Sequence, residues 1–354
     1  MKVTKTVAVV PGDDASPEAV LAALGVLRVL DPPLEFDVLP SGDELAELDP
    51  SARQELVINR LDAADTVLFG SSNGTTPGIA HLRWGRGTYA NVRPIEWREG
   101  FRSPMARPET LDYVIVRENL EDAYVGIMGD LEDLRSSGLI GPRARLYWEG
   151  EGRYATKFIT RQGTEKVARF SFELALKRAE ATGRPPRLTV SAKTNMLPAT
   201  DRWFCDIVTD IGEEFPDVEL SQFIVDDMAH RLVMRPEELE VLLLPNLYGD
   251  VLSDLGAGTV GGMGLAASGC YGDGVAYFES AHGTAPDIAG QHSINPTATL
   301  LSAVMMLEWL DLDGHAIRLN DAISQVYRNG TMLTPDQGGS ATTEEFSAVV
   351  AAAL

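Results

Sequence analysis

The sequence predicts an α/β fold with a largely parallel central sheet. Short apolar runs, typical of strands buried inside a parallel sheet, recur along the chain at 4–11, 66–70, 112–117, 187–192 and 240–244. Stretches with helical apolar spacing lie between them, most clearly at 163–179, 200–213 and 296–310. Strands that alternate with helices are typical of parallel sheets, which bind ligands where their strands end.

The first strand and helix illustrate this pattern. Residues 4–11 end in a turn of proline, glycine and aspartate. Ser16 and Pro17 then supply a helix N-cap and a first-turn proline, and apolar residues follow at helical spacing from Val20 to Leu30. The next apolar run, TVLFG, ends in the polar loop SSNGTTPG. Both strands are therefore expected to lead into loops that can meet a ligand.

Length, charge and cysteine content limit the class of protein. The chain has 354 residues, which favours two domains or one large α/β body. Its formal net charge of −22 argues against a nucleic acid or an anionic membrane as partner. The apolar runs are too short for a membrane helix, and the first residues lack the apolar stretch of a secretory signal. Cys205 and Cys270 lie far apart, so neither a disulfide scaffold nor a zinc site is expected, and a reducing cytoplasm fits best.

Two pairs of acidic residues are candidate metal ligands. Asp250 and Asp254 lie four residues apart after the run EVLLL, so both carboxylates project from one helix face. Such oxygen ligands suit Mg²⁺ or Mn²⁺, although a solvated helix face gives the same pattern. Asp226 and Asp227 follow another strand-like run, and only one of two adjacent side chains can join a common site. A helix-capping turn is the simpler interpretation of that second pair.

Two glycine-bearing segments are candidate nucleotide or backbone-approach loops. GAGTVGGMG lies late in the chain and follows a helical pattern, so it does not match the strand–loop–helix order of a Rossmann fingerprint. It is better explained by close backbone approach or positive φ. In HGTAPDIAG, which begins at His282, main-chain N–H groups can hold a nucleotide.

Basic residues are the third element of the candidate site. Arg83 and Arg93 bracket the segment RWGRGTYANVR, Arg117 precedes ENLEDAYVG, and Lys193 lies just after a strand. Each residue alone fits a solvated surface. Brought together in one cleft, they would form a receptor for several carboxylates, because arginine side chains match carboxylates with two parallel hydrogen bonds.

Together these motifs resemble the isocitrate/3-isopropylmalate dehydrogenase family, the metal-dependent β-decarboxylating dehydrogenases. The resemblance runs from PGDD near the start to TPDQGGSATTEEF near the end. It depends on five motifs in the family's order, which are LR…YANVRP, VRENLEDAYVG, SAKTN, NLYGDVLSDLGAG and HGTAPDIAG…NP. The tail and the run LVMRPEELEV look closer to homoisocitrate and NAD-isocitrate dehydrogenases than to the isopropylmalate branch.

The resemblance implies an isopropylmalate-dehydrogenase-like two-domain fold that is not a Rossmann fold. The large, NAD-binding domain would comprise 1–97 plus 260–354. The small domain, 98–259, would carry the dimer interface and an intersubunit arm at about 127–157. The protein would be a homodimer with shared active sites, and closure of the cleft between the domains would exclude water.

The resemblance also implies the roles of the site residues. Asp250 and Asp254, with Asp226 from the partner subunit, would bind Mg²⁺ or Mn²⁺. Lys193, also from the partner, would assist removal of the hydroxyl proton, and Tyr124 would protonate C3 after loss of CO₂. The substrate's carboxylates would contact three arginines, which are Arg83, Arg93 and Arg117.

The expected redox cofactor is NAD. NADP-using relatives carry Lys-Tyr where this chain has Asp287 and Ile288, and a carboxylate there would repel a 2′-phosphate. The implied cofactor-binding residues are His282, Gly283, Thr284, Ala285, Asp287, Ile288, Asn295 and, near the adenosine, Asp336.

The C3 substituent of the substrate stays open at this stage. The residues that contact this group would lie just before Arg83, where this sequence has Ile79 and Ala80 in PGIAHLR. The residue patterns that known branches of the family carry at these positions do not match this sequence. An alkyl group suits these two residues, whereas an anionic group would need His81, Arg86 or a residue from elsewhere. The leading expectation is an isocitrate- or homoisocitrate-like 2-hydroxy acid. The alternatives are 3-isopropylmalate, D-malate, tartrate, a phosphonate analogue such as phosphonomethylmalate, or a non-catalytic regulatory subunit of the same fold.

Overall fold

The computed structural model of the protein describes residues 4–40, 42–139, 141 and 150–354. The arm predicted at about 127–157 is therefore described in part, because residues 140 and 142–149 lie outside the described residues. Its described portion contains a small two-stranded antiparallel sheet that pairs Met128–Asp130 with Arg153–Ala155.

Strands and helices alternate along most of the chain. The strands are β1 (Lys5–Val10), β2 (Leu34–Val38), β3 (Thr66–Phe69), β4 (Ala90–Glu96), β5 (Asp112–Glu118), β6 (Met128–Asp130), β7 (Arg153–Ala155), β8 (Arg187–Ala192), β9 (Glu219–Ile224), β10 (Val241–Leu244), β11 (Ala267–Tyr271) and β12 (Ala276–Ser280). The α-helices are Ser16–Leu30, Gly42–Ala46, Pro50–Ala63, Leu131–Ser136, Arg161–Thr182, Trp203–Gly212, Val225–Met234, Asn246–Val260, Thr297–Trp309, Asp313–Asn329 and Thr343–Ala352.

One mixed sheet forms the centre of the molecule. Within the described residues it has ten strands in the order β2-β1-β3-β12-β11-β4-β5-β10-β8-β9. Both flanks are parallel, whereas β4 pairs antiparallel with β5 and β11 pairs antiparallel with β4 and β12. The antiparallel strands lie where the segments predicted as large and small domain meet. The division into two domains itself remains a prediction.

The apolar runs of the sequence form the buried strands because they are covered on both faces. All four residues of β3 and of β10 are buried, as is the second half of β1. Helices at 161–182, 203–212 and 297–309 occupy the three stretches with helical spacing. The helix predicted over 200–213 differs at its start, since Pro198–Arg202 forms a wide, π-type turn before Trp203 begins the α-helix.

The first helix differs from the prediction by one residue. Ser16 was expected as its N-cap, but Ala15 occupies that position and Ser16 is the first helical residue. The Ser16 hydroxyl instead accepts a hydrogen bond from the backbone N–H of Ser71, at 2.8 Å. This contact joins the start of the helix to the loop after β3.

Among the described residues, none of the helices combines the length and apolar character that crossing a membrane requires.

Candidate active site

The helix Asn246–Val260 begins directly after β10 and carries Asp250 and Asp254 one turn apart. Asp250 is the more heavily bonded of the two. Its carboxylate accepts hydrogen bonds from Arg117 and, at 2.9 Å, from the hydroxyl of Tyr124. Asp254 pairs with Arg93 at 3.3 Å. The two acids predicted on one helix face thus lie among the predicted carboxylate-binding residues.

Two of the three predicted arginines are almost fully buried. Arg93 is 5% exposed and Arg117 is 2% exposed. Burial and the neighbouring charge of Arg93 lower the pKa of Arg117 to about 10, so its guanidinium remains protonated at neutral pH. Asn246 helps to hold it, by accepting a hydrogen bond from Nε at 2.8 Å. Buried cations of this kind need anionic partners, which Asp250 and Asp254 supply here.

Arg83 lies on a wide helical turn, His81–Gly85, on the other side of the cleft. It donates to the hydroxyl of Tyr277 at 3.3 Å and pairs with Glu279 at 3.5 Å. Burial opposes its charge, but these neighbours outweigh burial and raise its pKa above the usual value. Arg83 is therefore charged in the free protein.

Tyr124 lies on the loop that follows β5. Burial and its hydrogen bond to Asp250 raise the pKa of its hydroxyl. The guanidinium of Arg117 lies 5.5 Å from the centre of its ring. Tyr124 is thus held as a protonated hydroxyl at the mouth of the cleft, the form that a proton donor requires.

These groups surround a cleft of about 480 Å³. The cleft also contains the ends of β3 and β12 and the beginning of the loop at 282. Its lining residues are Phe69, Ser71, Ser72, Ile79, Arg83, Trp84, Arg93, Arg117, Tyr124, Asp250, Glu279, Ser280, Ala281, His282 and Gly283. Ile79 is thus in the cleft as expected, whereas its neighbour Ala80 is exposed and does not line it.

Lys193 and Asp226 form a separate pair that does not line this cleft. The Lys193 ammonium bonds the Asp226 carboxylate and lowers its pKa. Asp227 turns away to pair with Arg231 at 2.8 Å, so adjacent acids do point apart as expected. Within the described residues, no cluster of three metal-binding side chains occurs. A site built from Asp250, Asp254 and Asp226 would therefore need two copies of the chain, and that arrangement stays a prediction.

The loop HGTAPDIAG is fixed against the start of the helix Ser16–Leu30. The N–H of Ala15 donates to the carbonyl of Thr284 at 3.0 Å, and the N–H of Gly290 donates to the Glu18 carboxylate at 2.7 Å. Ala285 adopts positive φ, at 49°, which places a sharp bend in the loop. Burial lowers the pKa of His282, which keeps its imidazole neutral near pH 7. Within the same segment, Gly283 lines the cleft, and Asp287 and Ile288 follow in a single helical turn, Pro286–Ile288.

Asn295 and Asp336 meet beside the glycine segment. The Asn295 amide donates to the Asp336 carboxylate at 3.0 Å. A Cβ on Gly264 would lie 2.7 Å from that carboxylate, closer than real contacts allow. Gly261 and Gly262 have φ of 148° and 122°. Gly261, Gly262 and Gly264 therefore serve positive φ or close approach, as the sequence predicted, whereas a Cβ at Gly258 would meet no neighbour.

Several residues of the site were not predicted from the sequence. Asp13, which is buried, accepts hydrogen bonds from Ser72, Asn73 and Thr76 and so fixes the loop after β3. Its place in the PGDD turn was the available signal. The sequence around Glu279 and Trp84 does not indicate that they line the cleft, because this depends on which strands and turns become neighbours.

His81 and Arg86, the two named candidates for an anionic C3 group, have other partners. His81 bonds the Asp62 carboxylate at 2.7 Å, and Arg86 bonds the same carboxylate at 2.9 Å. Arg86 also donates to the carbonyl of Leu61. Neither residue is among those that line the cleft.

Comparison with known proteins identifies related chains of similar length. The sequence matches the family described as Isocitrate/isopropylmalate dehydrogenase over residues 6–350. A 3-isopropylmalate/3-methylmalate dehydrogenase from Methanocaldococcus jannaschii is 37% identical over 346 residues, which cover 98% of this chain and 97% of that protein. An isocitrate/homoisocitrate dehydrogenase from Thermus thermophilus is 39% identical over 361 residues, which cover 98% of each. The crystal structure of isocitrate dehydrogenase from Methylococcus capsulatus has a TM-score of 0.83 at 29% identity and covers 99% of both chains.

Proposed function

Because the chain belongs to the isocitrate/isopropylmalate dehydrogenase family, we propose that it oxidatively decarboxylates a 3-substituted malate with NAD and a divalent metal. The predicted family and fold class are confirmed by these matches, as is the class of oxidoreductase acting on CH–OH groups. The relatives' names differ in the group on C3, which is alkyl in one and carboxyl-bearing in the other. The choice of cofactor, metal and substrate is therefore part of the proposal.

The observation that carries the proposal is the set of residues in one cleft. Three arginines, a protonated tyrosine and Asp250 line it, and Asp254 is joined to it through Arg93. Such a set binds the two carboxylates that every 3-substituted malate has and offers oxygen ligands to a hard cation beside them.

The acids of the cleft fit Mg²⁺ or Mn²⁺. Asp250 and Asp254 provide two hard oxygen ligands, a number that suits a cation that keeps substrate or water in its other positions. In the free protein these acids neutralise Arg93 and Arg117. A cation that takes the carboxylates would release the two guanidiniums for substrate, so metal and substrate are expected to strengthen each other's binding.

The residues of the chain then have distinct tasks. Arg83, Arg93 and Arg117 hold the substrate carboxylates and fix the C2–H bond toward the loop at 282. Lys193 from a second copy of the chain takes the C2 hydroxyl proton as hydride leaves C2. Tyr124 returns a proton to C3 after CO₂ has left. The metal, when bound, would supply polarisation of the C2 oxygen, and NAD would supply the two-electron acceptor.

NAD rather than NADP is supported by Asp287. This residue lies on the turn Pro286–Ile288 next to the proposed nucleotide loop, and its carboxylate would repel a 2′-phosphate. Asn295 and Asp336, which are joined by a hydrogen bond, would face the adenosine.

A homodimer is supported by exposed apolar residues on adjoining helices. Val225–Met234 packs against Asn246–Val260, and both expose large apolar side chains, which are Val233, Met234, Val251 and Leu255. Monomers rarely leave such clusters in water. Pairing at these helices would bury the four apolar side chains, two of which lie on the helix that carries Asp250.

We further propose a cytoplasmic location for the protein and the division of the chain into two domains.

The direct test is NADH formation by the purified protein with Mg²⁺ or Mn²⁺ and a panel of isocitrate, homoisocitrate, 3-isopropylmalate, D-malate, tartrate and phosphonomethylmalate. We expect turnover with NAD that disappears on chelation and is much slower with NADP. A folded dimer that oxidises none of these substrates would instead support a regulatory subunit of the same fold.

A further inference from the structure

We infer that the substrate's C3 substituent is uncharged and apolar, and that Trp84 is a specificity-determining residue that contacts it. This inference rests on the proposed function, because it concerns the same cleft. It is drawn from the cationic side chains of the cleft and from Ser71 and Ser72, which already have partners, and from the apolar surface beside Arg83.

No cationic side chain is left for a third carboxylate among the described residues that line the cleft. Among the described residues that line it, the arginines are Arg83, Arg93 and Arg117, the set needed by the two carboxylates common to all 3-substituted malates. The next two basic groups along the chain, His81 and Arg86, both bond Asp62 outside the cleft.

Ser71 and Ser72, two serines that line the cleft, are committed as well. Ser71 donates to the carbonyl of His282 at 2.6 Å. Ser72 lies within hydrogen-bond distance of the Asp13 carboxylate, at 2.9 Å, and of the carbonyl of Thr76, at 2.7 Å. A hydroxyl has one proton to donate, so neither serine can bind a carboxylate without breaking a bond it already makes. A buried anion left without a partner would cost far more than an apolar group in the same place.

The lining surface beside Arg83 is apolar. Ile79 lines the cleft at the start of the turn that carries Arg83, and Trp84 lines it directly after that arginine. The indole N–H of Trp84 donates to the carbonyl of Leu120 at 3.0 Å, yet the side chain is 47% exposed. Its polar atom is thus occupied, its ring is held in place, and a large apolar face stays free for a ligand.

The test compares substrates that share the malate frame and differ only at C3. D-malate has no substituent, 3-isopropylmalate has an apolar one, and isocitrate has a carboxylate. Burying three carbons should raise kcat/KM for 3-isopropylmalate about 50-fold over D-malate. Trp84→Ala should raise KM for 3-isopropylmalate about 10- to 200-fold while KM for D-malate stays unchanged. Trp84→Phe keeps an apolar ring and should restore most of the preference.

Trp203→Ala is the matched control, because Trp203 is another exposed tryptophan but lies outside the cleft. It should leave the ratio of the three substrates unchanged. A preference for isocitrate, or an unchanged ratio in Trp84→Ala, would overturn the inference. If none of the substrates is oxidised, the proposed function fails, and calorimetric titration with Mg²⁺ still decides the inference. Weaker binding of 3-isopropylmalate than of isocitrate would then refute it.

Discussion

Gly249 offers a sharp test of how the site is held together. This glycine lies inside the helix Asn246–Val260, where alanine normally stabilises by about 0.5–1 kcal/mol. A Cβ at this position would lie 2.6 Å from Cγ, 2.7 Å from Cβ and 3.1 Å from Cα of Arg117. Normal contacts between carbons are about 3.5–4.0 Å, so the substitution forces the helix away from β5.

The magnitude follows from a comparison within the same helix. Within the chain, a Cβ at Gly258 would meet no packing neighbour within 4 Å, so Gly258→Ala gains the helical preference without a clash inside the protomer. Gly249→Ala gains the same preference but also loses about 1–3 kcal/mol to overpacking. The helical terms cancel in the difference between the two variants. We therefore expect Gly249→Ala to be about 1–3 kcal/mol less stable than Gly258→Ala.

Urea unfolding of both variants measures this difference, with the m-value as a check that the transition is comparable. Steady-state kinetics should show a second effect, because Arg117 would move relative to Asp250. A displacement of about 1 Å can lower kcat/KM about 100-fold. Equal stability of the two variants, together with unchanged kinetics, would refute the proposed packing of this helix on Arg117.

Three further predictions concern catalysis, cofactor choice and pH. Lys193→Ala should lower kcat by about 10²- to 10⁴-fold in steady-state assays, and full turnover would exclude the proposed proton transfer. Asp287→Asn should lower KM for NADP about fivefold without changing KM for NAD, because one repulsive charge is removed; initial rates with both cofactors decide this. The bond to Glu344 raises the pKa of His292, so its stabilisation is fully present below the unfolded pKa and is lost as pH rises through the folded pKa. Thermal unfolding of His292→Gln should therefore differ slightly from wild type at pH 6 and match it at pH 9, and a gap that persists at pH 9 would contradict the assignment.

The sequence predicted β1, β3, β5, β8 and β10 because their apolar runs are continuous. It missed β2, and it missed β4, β11 and β12, which take part in the antiparallel pairings at the centre of the sheet. β4 carries Asn91 and Arg93 among its apolar residues, and β11 reads ASGCY, so neither shows a clear strand pattern. Polar side chains and a glycine interrupt the apolar pattern there. A strand that carries polar residues is therefore harder to predict than one that is apolar throughout.

The start of the helix at Trp203 was also predicted wrongly from the sequence pattern. The sequence predicted one helix over 200–213, but Pro198–Arg202 forms a wide turn. Asp201 in that turn is fully buried and accepts a hydrogen bond from the N–H of Lys193 at 2.8 Å. Holding Lys193 in place requires a backbone path that helical spacing alone does not reveal.

Within the site, the motifs predicted several of the residues that lie together but not their partners. Arg93, Arg117, Tyr124 and Asp250 meet in one cleft as the motifs indicated. Their pairing with each other depends on distances between β4, β5 and the helix Asn246–Val260, which have no local signal in the sequence.

Oxidative decarboxylation in this cleft is tested most directly by measuring CO₂ and NADH together during turnover of the preferred substrate with Mg²⁺. We expect one CO₂ for each NADH formed, with both products lost on chelation and in Asp250→Asn. NADH that forms without CO₂, or that persists unchanged in Asp250→Asn, would contradict an oxidative decarboxylation carried out in this cleft.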